Sequence, residues 1–107
     1  MDKVIEDGKV AVLYSPGFGA GWYTWNQSVP ECLFDPEIVQ MVREVKNPKF
    51  IVELANKKWN RGDDYFYPGG ADQLLVDWVP EGTRFFIEEY DGSECVVTEA
   101  DVDWLTA

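Results

Sequence analysis

The chain has 107 residues, 46% of them hydrophobic and 15% aromatic, which suits one folded domain and excludes a two-domain enzyme and a disordered or collagen-like chain. Nine Lys and Arg against twenty Asp and Glu give a net charge of −11, a field that repels nucleic acid and anionic membrane, so neither is expected as a direct partner. There is no His, the side chain most often used as a general base or metal ligand near neutral pH.

The charge is unevenly placed. Residues 1–61 hold eight acids and eight bases, whereas residues 62–107 hold twelve acids and one base, Arg84. Apolar and aromatic residues run through that second part, so it reads as a folded acidic surface and not as an acidic tail. Cys32 and Cys95 fit neither a disulfide framework nor a metal-binding pattern and read as free thiols, with a single bridge as the alternative. No apolar run approaches the roughly 20 residues of a membrane span, and the start of the chain lacks the shape of a signal peptide. The expectation is a soluble protein of the cytoplasm.

Lys9–Tyr14 is an apolar, β-branched run after the turn pair Asp7-Gly8 and predicts a strand. Residues 17–26 combine three glycines with four aromatics and predict a loop that lays large rings over the core. Asp35-Pro36-Glu37 is a helix start, with a capping carboxylate, Pro at the first helical position and an acid in the first turn. Ile38, Met41, Val42 and Val45 then form one apolar stripe, and Lys46 and Asn47 close the helix. Residues 48–58 predict a second helix capped by Asn47, although FIVEL at 50–54 also suits a strand.

Residues 59–71 predict a loop. Strands are predicted at 73–79 and 83–90, the second with Phe85 and Ile87 on one face and Phe86, Glu88 and Tyr90 on the other. Asp91-Gly92 suits a two-residue hairpin, so residues 93–97 pair back. Thr98 and Asp101 have capping-box spacing for a final helical turn holding Trp104 and Leu105. The sum is an α+β fold, a small antiparallel sheet packed against one or two helices in a single domain spanning 1–107.

Three patches resemble a family of small phage and prophage proteins: Pro16-Gly17-Phe18-Gly19, Asp35-Pro36-Glu37-Ile38-Val39, and residues 79–94, VPEGTRFFIEEYDGSE. The third is the most specific, matching the family's Ile-Pro-x-x-x-x-Trp-x-Ile-x-Glu-Tyr-Asp-Gly-x-Glu segment. Tyr14-Ser15-Pro16 stands where the family has a Cys-Tyr-Gly stretch, and Gly21-Trp22-Tyr23-Thr24-Trp25 where a Leu-Ser helix start is expected. The resemblance implies a phage accessory protein acting in the bacterial cytoplasm. Such small acidic proteins often block host functions or defence systems. It carries over no catalytic residue.

The candidate partner-binding residues are Glu88, Glu89, Asp91 and Glu94, read as a carboxylate row that mimics nucleic acid towards a basic host protein, with Trp22, Tyr23 and Trp25 as aromatic anchors. The plainer reading of that row is a solvated edge kept acidic against strand-to-strand aggregation. The alternative function is a small-ligand, nucleotide-type binder that stacks its ligand on Trp22, Trp25, Tyr65 and Tyr67. Gly17-Phe18-Gly19-Ala20-Gly21 lacks the endings of phosphate loops, and Asp63, Asp64 and Asp72 lack the spacing of a calcium loop. No cofactor, metal or catalytic residue is expected.

Overall fold

The computed structural model describes residues 1–18 and 21–107. The fold is α+β. Strands β1 (Ile5–Glu6), β2 (Lys9–Tyr14) and β3 (Leu75–Pro80) form an antiparallel sheet in that order, and β4 (Phe85–Tyr90) and β5 (Ser93–Thr98) form a separate hairpin. Helices α1 (Pro36–Arg43) and α2 (Pro48–Trp59) lie between β2 and β3 in the chain.

β2 is buried on both faces, which is why its sequence is a continuous apolar run instead of an alternating one. Ala11 and Leu13 point into a core shared with Ile38 and Val39 of α1, Ile51 and Ala55 of α2, Trp22 and Phe66. Val10 and Val12 point the other way, into a second cluster with Leu33, Phe34 and Val79, against which Phe85, Ile87 and Val96 of the hairpin pack. The molecule is therefore layered as helices, sheet and hairpin, with β2 at its centre.

Both helices start where the caps predict. The Asp35 carboxylate accepts from the Ile38 amide at 3.1 Å, and Asn47 accepts from the Lys49 amide at 3.0 Å. The second helix runs one residue past its predicted end. The first stops early: α1 ends at Arg43, and Val45 adopts φ 54° and is 88% exposed, so it leaves the predicted stripe, while Val39 is buried in the core. The Lys46 amide donates to the Met41 carbonyl and the Val45 amide to the Val42 carbonyl, the paired bonds of a Schellman ending.

The hairpin turns at Asp91 and Gly92, with φ 49° and 83°, as their sequence predicts. The Thr98–Asp101 capping box is present, yet it closes only a single turn, Glu99–Asp101. Trp104 and Leu105, expected inside that final helix, lie beyond it and are 76% and 97% exposed.

Candidate functional site

In the hairpin, Glu89 pairs with Glu94, Ile87 with Val96 and Phe85 with Thr98, so these residues share the face that packs on the sheet. Glu88 pairs with Cys95 on the opposite face, between Phe86 and Tyr90. Asp91 sits in the turn. The expected row of four carboxylates is therefore not a row. Consecutive residues of a strand point to opposite faces, which separates Glu88 from Glu89.

Glu94 departs furthest from expectation, being only 1% exposed. One carboxylate oxygen accepts from the Ser15 amide at 3.0 Å; the other accepts from the Thr24 amide at 2.8 Å and the Thr24 hydroxyl at 2.6 Å. Its own amide donates to the Ser15 carbonyl at 2.8 Å. The side chain ties the hairpin to the end of β2 and to the aromatic loop. It is a structural clasp and is withdrawn from the partner-binding set.

Trp22 is also withdrawn from both candidate sets. It is fully buried, its Nε1 donates to the Cys32 carbonyl at 2.8 Å, and its ring meets Phe66 edge-on at 5.1 Å between centroids. A small core needs that ring. Tyr23 is half-buried and packs against both hydrophobic clusters, so it bridges layers instead of standing out as an anchor.

Two asparagines, unmarked by any sequence motif, hold the loop after α2 in place. Asn26, 3% exposed, donates to the Tyr67 carbonyl at 2.8 Å and accepts from the Tyr67 amide at 2.7 Å; Asn60 makes the same pair of bonds with the Phe66 backbone. Gly70 completes the contact, because a Cβ there would lie 2.3 Å from the Gly21 carbonyl oxygen. Tyr65 stays 73% exposed and Tyr67 40% exposed.

The Glu94 bonds to Ser15 and Thr24, with the Ser93 hydroxyl donating to the Pro16 carbonyl at 2.7 Å, bring the aromatic loop beside the hairpin turn. Phe18, Trp25, Glu89, Asp91 and Gly92 line an open cleft of about 640 Å³, within the range of ligand sites. Phe18 is 74% and Trp25 59% exposed, a large apolar area left to solvent at one place. The Glu89 Oε1 accepts from the Gly92 amide at 2.5 Å, which fixes that carboxylate at the rim. Of the residues selected from sequence, Trp25, Glu89 and Asp91 come together here; Tyr65 and Tyr67 are not among the lining residues, and Glu88 lies on the far face of the hairpin. Phe18 joins Trp25, Glu89 and Asp91, although no sequence feature singles it out as a site residue.

Two exposed aromatic rings beside two carboxylates suit a cation, which rings attract through their π-systems and carboxylates through charge. Among the described residues neither carboxylate makes an ion pair, and Arg84, the one base of residues 62–107, is paired with Glu99 at 3.1 Å. Among the described residues no cluster of Cys, Asp and Glu is arranged to hold a metal ion, and no helix is long and apolar enough to cross a membrane. Both cysteines are free; Cys32 is buried with its thiol pushed far up by desolvation and then by Glu94, and Cys95 is exposed. No protein family, curated protein or solved structure matches the chain.

Proposed function

We propose that this chain is a non-enzymatic binding protein that engages a basic surface of another protein through the cleft of Phe18, Trp25, Glu89 and Asp91. The observation that carries the reading is the meeting of two solvent-exposed rings with two carboxylates, the carboxylates drawn from the part of the chain that holds the whole net charge. The rings supply an anchor of the kind that dominates interfaces, and the carboxylates supply orientation and fast encounter. An acid-lined cleft repels phosphate, which weighs against a nucleotide as its occupant. The resemblance to phage and prophage proteins supports a host protein as the target and inhibition of a host or defence function as the outcome, in the bacterial cytoplasm.

The test is affinity capture from bacterial lysate at low salt, followed by titration of the captured protein. Trp25→Ala is expected to weaken binding about 30-fold, and Glu89→Gln with Asp91→Asn about tenfold with a flatter salt dependence. Unchanged affinity in both variants contradicts the proposal.

A further inference from the structure

The backbone of β4 pairs on one side only. A two-residue hairpin makes the pair that flanks its turn a hydrogen-bonded one, and bonded pairs then alternate along the ladder. Tyr90, Glu88 and Phe86 therefore bond inward to Ser93, Cys95 and Val97, and the backbone groups of Phe85, Ile87 and Glu89 face away from β5. The same alternation points the Glu94 backbone away from β4, and its amide is indeed taken by the Ser15 carbonyl at 2.8 Å. The β5 edge is thus tied at Glu94 to the residue that follows β2. On the β4 edge, the Ile87 and Glu89 amides meet no acceptor among the described residues.

Exposed edges are normally blunted by charged side chains, Pro or a bulge. β4 has no Pro and no bulge: its sequence is FFIEEY and its register with β5 is unbroken from Phe85 to Tyr90. Its only charges are two glutamates. In antiparallel pairing with a second copy they would bring four carboxylates to one joint, which disfavours self-association. A strand carrying positive charge meets no such penalty. Glu88 on one face and Glu89 on the other would flank it, and Glu89 also lines the cleft of Phe18 and Trp25, so edge and cleft are continuous.

We infer that β4 accepts an extended basic segment of the partner protein as a third strand of the hairpin sheet, which delivers one of its cationic side chains to the cleft. The inference rests on the proposed function and adds how the partner is held.

The probe is a short peptide of alternating arginine and threonine, compared with the same peptide N-methylated throughout, which keeps the charge and removes the strand donors. At low salt the unmodified peptide is expected to bind about tenfold tighter than the methylated one and to slow hydrogen exchange at the Ile87 and Glu89 amides at least about tenfold. Equal, salt-sensitive binding of both peptides with unchanged exchange at those amides overturns strand addition and leaves the acidic cleft standing. If neither peptide binds at low salt, the acidic reading fails and strand addition with it.

Discussion

Glu94 illustrates how a residue's role depends on register as much as on type. Its carboxylate receives three hydrogen bonds in a site closed to water, so Glu94→Ala leaves buried donors unmet and is expected to lower stability by about 3 kcal/mol in urea unfolding. Glu94→Gln is no rescue, because its NH₂ must confront an amide donor of Ser15 or Thr24. A loss below about 0.5 kcal/mol for Glu94→Ala would contradict the clasp. Reversing this residue to probe binding, as its sequence position invites, would report unfolding instead. The signal was present: a turn at Asp91-Gly92 places residue 94 opposite 89, on the face of Ile87. A charged residue at a core-facing position carries no local mark that separates it from a surface one, because only its partners, Ser15 and Thr24, make it internal. Lys58 offers a second test. Partial burial pulls its pKa down, but hydrogen bonds and charge from Glu37 and Asp35 together raise it, while Lys58 holds the Glu37 carboxyl below its usual 4.5. The Glu37 contribution to stability is thus present above pH 4.5 and lost as pH falls through its lowered value; the Lys58 contribution is present below its usual 10.5 and lost as pH rises through its raised value. Carboxyl NMR titration of Lys58→Met should show Glu37 titrating higher than in the parent protein; no movement would contradict the pairing.

The elements were legible in the sequence where local chemistry decides them. Caps at Asp35 and Asn47, the apolar run of β2 and the Asp91-Gly92 turn all act within a few residues, and each falls where predicted. The end of α1 was not legible. Its Schellman ending asks for a left-handed residue and receives Val45, whose branched side chain fits that conformation poorly. Because Val45 is 88% exposed and packs against little, Val45→Gly is expected to raise stability by about 1 kcal/mol, read as a higher denaturation midpoint. A decrease would show that the valine holds contacts that outweigh its strain. The split of the strands into a sheet and a separate hairpin was likewise invisible, since β-branched runs report strand content and not which strands pair.

At the scale of the molecule, the central position of β2 explains why few residues suffice for two hydrophobic clusters: one strand serves both. It also fixes the chemistry of the thiols. Cys32 lies inside the helix-side core and Cys95 on the outer face of the hairpin, so a thiol reagent at neutral pH should modify one cysteine per native chain and two after denaturation. Two labels on the native protein would contradict that layering. The acid count predicts a charged carboxyl-terminal part, but only the packing of the aromatic loop against the hairpin selects which acids stand beside exposed rings. The measurement that separates location from total charge compares two variants of equal net charge, Glu89→Lys with Asp91→Lys and Asp72→Lys with Asp103→Lys, each moving the chain from −11 to −7 (−11 + 4). Affinity for the captured partner is expected to collapse in the first pair and to change less than about threefold in the second, at equal melting temperatures. Equal losses in both would mean that net charge alone attracts the partner and that the cleft is not its contact.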